Sequence, residues 1–271
     1  MSTSPRFPER RERLKAILTK PQLQTLWKNH VRQSVRQQSL VDLADYYDIH
    51  AGLTNHIENV TDRIFRGVYR PNAPVRVLLE KSKGLCRQLL IPDPVDALVL
   101  QAMVNSILPL VLRNQPNKNA FYQAQAHKIS KTREERIHEG EYGSLTSWLA
   151  FQKRVFNFTK DHPFLVVTDV ANFFDYVSFS ELRSIYGSFE SINEDVLDFI
   201  FFILENYNWR PDYMPDRQGG LPQMNFDAPR LLAHSFLFEL DRYLSARAVG
   251  SYARFMDDMD IGVASVGEGK R

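Results

Sequence analysis

The stretch YARFMDD, from Tyr252 to Asp258, decides the fold of this chain. Two adjacent carboxylates stand between a short apolar run and a second one that extends from Met259 to Val263. This pattern predicts a β-hairpin whose tight turn is formed by the two acids. An Asp-Asp pair in a turn is usually solvated surface, so it gains functional meaning only beside another carboxylate.

A third carboxylate follows a second apolar run, PFLVVTD, from Pro163 to Asp169. The run predicts a buried strand that ends on Asp169, although this residue alone is also suited to capping a following helix. Together with Asp257 and Asp258 it supplies the hard oxygen ligands that Mg²⁺ prefers. Two such ions clamp the attacking and leaving oxygens of a phosphoryl transfer.

Four motifs in a fixed order resemble those of reverse transcriptases. DVANFFD from Asp169 resembles the first catalytic palm motif, and GLPQ from Gly220 resembles the template-positioning motif, followed by Ala233-His234 and a helix to Asp241. FMDD from Phe255 is similar to the aromatic-x-Asp-Asp box. Upstream, KSKGLCRQLLIP from Lys81 resembles the fingers motif, with Asp96 where the family carries Asp. The resemblance covers roughly Ile64 to Val263.

Within that family the chain is most similar to the bacterial group of retrons, group II introns and abortive-infection enzymes. GVYRP from Gly67 resembles this group, and the helix containing Trp148 is typical of its defence-associated branch. The resemblance implies an RNA-directed DNA polymerase of antiphage defence that uses dNTPs, a non-coding RNA template and a DNA product. It also implies an α+β fold, with an N-terminal helical cap over 1–70 and right-hand fingers and palm over 71–271.

The same resemblance implies the roles of the acidic residues. Asp169 and Asp257 would bridge two Mg²⁺ ions, with Mn²⁺ as an alternative, and Asp258 would lie nearby. The backbone carbonyl of Val170 would be an additional metal ligand. Carboxylates of this kind repel one another, and a catalytically idle site has no need of three of them. This argues against an alternative function for the chain, a catalytically idle RNA-binding or assembly module.

Nucleotide contacts are implied at five further positions. Arg87 would clamp the triphosphate, since guanidinium makes bidentate contacts to phosphate. Lys81 or Lys83 would assist as a point charge, or lie as a solvated turn residue. Phe174 would exclude the sugar 2′-hydroxyl, with Phe173 as the core phenylalanine, and Gln223 would contact the template–nucleotide pair.

Two departures from the family pattern affect function. The loop after Gln223 reads MNF and lacks the usual Gly and Ser, which favours specialised template handling or, as an alternative function, template-independent or protein-primed DNA synthesis. The chain also stops thirteen residues after Asp258. We therefore expect the duplex-gripping thumb to be missing and to be supplied by further residues, a second subunit or another copy.

Charge is unevenly distributed along the chain. Residues 1–40 carry nine Lys or Arg against two Glu, although the whole chain has a net charge of only +2. This basic arm predicts contacts to RNA phosphates or, alternatively, a solvated helix surface. The candidate nucleic-acid contacts are Arg10, Arg11, Arg13, Lys15, Lys28, Arg32 and Arg36, and Arg254 would approach the primer backbone or pair with an acid.

The remaining composition is that of an ordinary globular protein. The single cysteine, Cys86, excludes an internal disulfide and is expected to be a small buried residue. We expect that no apolar stretch reaches membrane-spanning length, and we expect a cytoplasmic location. Apolar spacing predicts helices over 23–35, 40–44, 57–64, 95–111, 148–156, 190–207 and 226–246, a strand hairpin over 74–92, and an exposed insertion over 114–142.

Overall fold

The computed structural model describes residues 6–38, 40, 42–44, 46–82, 85–122, 145–190, 192–208, 220–248 and 250–270. It contains many helices, a two-stranded sheet and a four-stranded sheet. The predicted α+β class is therefore confirmed. The part of the predicted insertion from 123 to 142 lies outside the described residues. Its described part, 114–122, is mostly half-buried and includes a short strand at Ala120–Phe121, so the prediction of an exposed segment was wrong there, because this strand pairs with a neighbouring strand.

The N-terminal region is helical, as predicted. Its elements are α1 Arg6–Ile17, α2 Lys20–Leu26, a π-helical turn Trp27–Val31, α3 Arg32–Arg36, α4 Tyr47–Ala51 and α5 Leu53–Phe65. The helix predicted over 40–44 is wrong, because Leu43 is fully exposed and the segment forms a turn. The Asp42 carboxylate accepts the backbone N–H groups of Ala44 and Tyr46, and such local bonds compete with helix formation.

A two-stranded hairpin follows, with β1 at Val75–Ser82 and β2 at Leu85–Ile91 in antiparallel register. It confirms the hairpin predicted over 74–92, while Lys83 and Gly84 lie outside the described residues. Cys86 is exposed on β2, so the prediction that it is buried was wrong. In a two-stranded sheet many side chains remain exposed to solvent. The apolar pattern of the sequence does not show that Cys86 is one of them.

Helix α6, Pro94–Arg113, passes through the middle of the core, and Asp93 caps it by accepting the N–H of Val95 at 2.8 Å. It is long and apolar enough to cross a membrane, so the expectation that no stretch reaches that length was wrong. Two thirds of its apolar window is buried within the protein, and buried core helices of soluble proteins share this composition.

The four-stranded sheet carries the acidic motifs and has the order β3-β5-β6-β4. Its strands are β3 Ala120–Phe121, β4 Phe164–Thr168, β5 Tyr252–Phe255 and β6 Asp258–Val263. The strand predicted before Asp169 is present as β4, but it is largely exposed rather than buried. The reason is its position at the edge of the sheet, where, within the described part of the chain, it pairs with β6 and has no strand on its other side.

Helices surround this sheet. They are α7 Leu145–Phe158, α8 Phe173–Tyr176, α9 Phe179–Gly187, α10 Glu194–Asn208, α11 Asp227–Phe236, α12 Phe238–Arg247 and α13 Val266–Gly269. The single helix predicted over 226–246 is two helices, because the backbone at Leu237 leaves the helical region with ψ at 9°. The helix predicted from 190 begins at Glu194 instead, where Asn193 accepts the N–H of Asp195.

One hydrophobic cluster joins the N-terminal helices to the rest of the chain. Leu23 and Trp27 are fully buried and belong to the same cluster as Met103 of α6 and Ile200 of α10. Contacts between buried side chains of this kind mark a contiguous core. The N-terminal helices therefore pack onto the body that holds the acidic sheet.

Candidate metal centre at the Asp257–Asp258 hairpin

The strand registers bring the three predicted carboxylate residues to one edge of the sheet. On β5 and β6, Phe255 pairs with Asp258, which leaves Met256 and Asp257 as the turn. The prediction that the two acids form the turn was therefore wrong by one residue, because this pairing makes Asp258 the first residue of β6. On β4 and β6, Thr168 pairs with Met259. Asp169 directly follows Thr168, so its backbone lies beside that of Asp258 at the same end of the sheet. The cap position of α8 belongs to Asn172, so Asp169 does not cap this helix.

The residues at this edge fit a divalent cation in donor chemistry and in backbone placement. Carboxylate oxygens are the ligands that Mg²⁺ takes, and Asp169 and Asp258 are exposed while Asp257 is half-buried. Among the described residues, no three His, Cys, Asp or Glu side chains lie close enough together to hold a metal ion. The backbones of the three acidic residues thus lie together at one end of the sheet, while their side chains do not meet at one point.

Met256, at the hairpin turn, has an unusual backbone conformation. Its φ is 55°, in the left-handed region that residues with a Cβ seldom adopt. Its N–H donates to the carbonyl of Phe121 at 3.0 Å, and its carbonyl accepts Nη1 of Arg254 at 2.7 Å. Strained backbone of this kind costs about 1–3 kcal/mol and persists where the surroundings hold it, commonly at functional sites.

Arg254 lies beneath the turn and is fully buried. Its Nε and Nη2 donate to the two carboxylate oxygens of Asp241, at 2.8 and 2.5 Å. Tyr252 also donates its hydroxyl to Asp241, at 2.7 Å. Of the two roles predicted for Arg254, contact with the primer backbone was wrong and pairing with an acid is confirmed.

His234 extends this buried network on the side of α11. Arg254 has only N–H donors, so Nδ1 of His234, 3.4 Å from Nη1 of Arg254, must accept. Its Nε2 then carries the proton and donates to Oε1 of Gln115 at 3.2 Å. Burial, aided by the charge of Arg254, holds the pKa of His234 well below its usual range. The imidazole is therefore neutral.

The two phenylalanines after Asp169 differ in environment. Phe173 is buried, whereas Phe174 is half-buried, and their rings meet edge to face with centroids 5.7 Å apart. The prediction that Phe173 is the core residue is confirmed. Phe174 keeps part of its ring exposed near the first acidic motif, and its role as a sugar gate remains a prediction.

The predicted template-positioning segment lies against the first acidic motif. Leu221 donates its N–H to the carbonyl of Phe174 at 2.8 Å. Gln223 is half-buried, and its backbone carbonyl accepts the N–H of Leu90 on β2 at 2.8 Å. The segment therefore links the β1–β2 hairpin to α8, the short helix that follows Asp169, and the contact of Gln223 with a template–nucleotide pair remains a prediction.

The loop after Gln223 is fastened by side chains. Asn225 donates to the carbonyl of Gln37 at 2.7 Å, and its own side-chain oxygen accepts from Arg230. Gln38 donates to the carbonyl of Asn225 at 3.3 Å. Polar bonds to the N-terminal helices thus hold a loop that lacks the glycine expected from the resemblance.

The predicted phosphate-binding residues are only partly placed. Arg87 is exposed on β2, where a phosphate has access to it. Lys83 lies outside the described residues, and of Lys81 only the backbone is described. The two basic candidates Arg10 and Arg13 both form ion pairs with Asp195 of α10, so they fasten α1 to the body.

The other basic candidates vary in exposure. Arg11, Lys28 and Arg36 are exposed, whereas Lys15 and Arg32 are half-buried. Lys15 pairs with Glu12 one turn earlier, at 2.6 Å. For the exposed residues of the basic arm, contact with RNA phosphates remains a prediction.

Sequence reasoning assigned no role to Asp241 or Asp260. Asp241 is fully buried, and the signal for it was an arginine inside the short apolar strand β5, which needs a buried acid as partner. Asp260 is buried on β6 opposite Ala253, and burial raises the pKa of its carboxyl. Its signal was the spacing Asp258-x-Asp260, which places both side chains on one face of a strand.

Comparison of the sequence with models of protein families and with curated proteins finds no match.

Proposed function

We propose that this chain is an RNA-directed DNA polymerase that transfers nucleotides from dNTPs to a primer 3′ oxygen. The observation that carries the proposal is the register of β4, β6 and β5, which sets the backbone of Asp169 beside Asp258, the first residue of β6, and next to the Met256–Asp257 turn. The order of the four sequence motifs supports it, and so does the strained Met256 at the turn.

The α+β fold is consistent with fingers and a palm in this proposal. The β1–β2 hairpin would be the fingers, and the four-stranded sheet with its surrounding helices the palm. The hydrogen bond between Leu90 and Gln223 connects the β1–β2 hairpin to the segment before α11, and in this proposal Arg87 and Gln223 would contact the same substrate.

In this reaction the protein mainly positions reactants and stabilises charge. Asp169 and Asp257 would hold two Mg²⁺ ions, with Asp258 and the Val170 carbonyl nearby, and the ions would supply charge neutralisation at the attacking and leaving oxygens. Arg87 would bind the triphosphate oxygens with its guanidinium. The exposed part of Phe174 would lie beside the sugar, and the backbone of Gln223 would support the base pair.

The experiment that tests the proposal is primer extension by the purified chain with Mg²⁺, comparing Asp169→Asn and Asp257→Asn with Asp161→Asn. Asp161 is an exposed carboxylate just before β4, so its variant controls for loss of one acidic charge nearby. We expect both site variants to lose incorporation while remaining folded, because removing one of several repelling carboxylates does not destabilise a metal-free site. Full incorporation by either site variant would contradict the assignment.

A second candidate function, synthesis without a nucleic-acid template, is favoured by one observation. Asn225 and its neighbours are fixed to Gln37 and Gln38, so the loop after Gln223 is held by the N-terminal helices rather than left to follow a template. Sequencing the nucleic acid that copurifies with the chain separates the two. A bound RNA complementary to the product supports templated synthesis, and a homopolymeric product without one supports the alternative.

The resemblance to defence-associated enzymes extends the proposal to antiphage defence in a bacterial cytoplasm. Its test is protection of cells from phage infection by the parent chain and its loss in Asp257→Asn. Equal protection by both would separate any defensive role from nucleotide transfer.

A further inference from the structure

We propose that Arg254 is a positioning residue that fixes the Met256–Asp257 peptide and thereby aims the Asp257 carboxylate at its metal. The carbonyl that accepts Nη1 of Arg254 at 2.7 Å belongs to this peptide, whose nitrogen is that of Asp257. Holding the peptide plane fixes the direction in which Asp257 leaves the backbone. The inference rests on the proposed function, because it assigns Asp257 a metal.

The guanidinium is itself immobile, since every one of its N–H groups has an acceptor. Nε and one N–H of Nη2 meet the two oxygens of Asp241. The second N–H of Nη2 faces the carbonyl of His234 at 3.3 Å, and Nη1 divides its two between Met256 and Nδ1 of His234. An arginine with five acceptors in fixed directions cannot rotate without losing several bonds at once.

The turn needs such support because of its backbone conformation. Met256 has a φ of 55°, which a residue with a Cβ leaves readily when nothing holds it. Its N–H is held by Phe121 of β3 and its carbonyl by Arg254. Loss of the Arg254 bond would free one side of the turn and let the Asp257 side chain sample other directions.

Lysine cannot replace this function. It carries the same charge and can reach Asp241, but it has three donors on one nitrogen and no planar fork. Arg254→Lys therefore keeps the buried ion pair while weakening the bond to the Met256 carbonyl. Tyr252→Phe is the matched control, since it removes one hydrogen bond to Asp241 and leaves the bond between Arg254 and Met256 in place.

The experiment is titration of the purified full chain with Mn²⁺, followed by electron paramagnetic resonance, for the parent, Arg254→Lys, Tyr252→Phe and Asp257→Asn. Thermal unfolding of each variant is measured alongside. We expect Arg254→Lys to raise the Mn²⁺ dissociation constant about 10-fold or more, the usual effect of removing a group that orients a ligand. Tyr252→Phe should lower the melting temperature and change the dissociation constant less than about twofold.

Equal Mn²⁺ affinity of Arg254→Lys and the parent would overturn the inference, provided that Asp257→Asn binds more weakly than both. Equal affinity of the parent and Asp257→Asn would overturn the metal role of Asp257, and with it both this inference and the proposed function. If Arg254→Lys does not fold, Asp241→Asn is titrated in its place, because it keeps every atom of Arg254 and loosens its anchor. A Mn²⁺ dissociation constant raised about 10-fold or more over that of the parent then supports the inference, and an unchanged constant overturns it.

Discussion

The backbone of Gly220 lies directly against that of Asp175, so closely that a Cβ at Gly220 would stand 2.4 Å from the Asp175 carbonyl oxygen. Beside this contact, Leu221 donates to the carbonyl of Phe174. The absence of a side chain at Gly220 is therefore what lets the segment containing Gln223 reach the first acidic motif.

Gly220→Ala should destabilise the protein by about 1–3 kcal/mol, the usual range for forced overpacking. The atoms nearest to the new methyl group all belong to the Asp175 backbone, so no flexible side chain can give way. Urea unfolding measures the change. Gly187→Ala is the control, because a Cβ there meets nothing within 4 Å and the residue ends helix α9, so a gain of up to about 1 kcal/mol is expected.

The ion pair between Asp241 and Arg254 predicts a strong coupling in stability. Neither side chain has any exposure, so Asp241→Leu or Arg254→Met alone would leave an uncompensated buried charge and should cost about 3–5 kcal/mol. The double variant should cost clearly less than the two single costs together, since it leaves no buried charge. Urea unfolding of all four proteins gives the coupling energy.

The double variant also separates folding from function. It restores stability without restoring the bond to the Met256 carbonyl, so nucleotide incorporation should stay low. Simple additivity of the two single costs would contradict the buried pair, and full activity in the double variant would contradict the role of Arg254 in holding the turn.

Because the Asp96 carboxyl is buried, we expect the stability of the protein to depend on pH. It accepts the hydroxyl of Tyr69 at 2.8 Å and the N–H of Asn72 at 2.6 Å, yet burial raises its pKa to about 6 from 3.8. Because the folded-state pKa lies above that of the unfolded chain, the folded state binds the proton more tightly between these values. The contribution of Asp96 to stability therefore rises as pH falls through about 6 and levels off below about 4.

Asp96→Asn should remove this contribution. The difference in free energy of unfolding between parent and variant should change by up to about 3 kcal/mol between pH 7 and pH 4, with the parent gaining as pH falls. Urea unfolding at several pH values in this window measures it. A difference that stays constant, or that grows in the opposite direction, would show that Asp96 is not held in its neutral form by burial.

If Phe174 excludes the sugar 2′-hydroxyl, it determines the preference for deoxynucleotides over ribonucleotides. Phe174→Ala should open space beside the first acidic motif and raise the use of ribonucleotides relative to deoxynucleotides roughly 10-fold or more. Steady-state incorporation of each nucleotide type gives the ratio. Phe173→Leu is the control, since Phe173 is a core residue and the change nearly conserves core volume, and an unchanged ratio in Phe174→Ala would move the gate elsewhere.

Much of the local structure followed from pattern alone. An Asp-Asp pair between two short apolar runs predicted the hairpin of β5 and β6, although its turn lies one residue earlier, and the apolar run before Asp169 predicted β4. The spacing of Ile57, Val60 and Ile64 predicted α5, which the structure confirms. Such signals are readable because each depends on neighbours a few residues apart.

Which side chains are buried, and which charged residues pair, depends on the tertiary structure. The composition of β4 is that of a buried strand, but its place at the sheet edge leaves it exposed. Arg254 has the sequence context of a nucleic-acid contact, and only the packing of α12 against β5 shows that it faces Asp241. The sequence thus determined which residues form strands, turns and acidic motifs, whereas exposure, charge pairing and support of the turn depend on segments far apart in the chain, whose contacts no local pattern encodes.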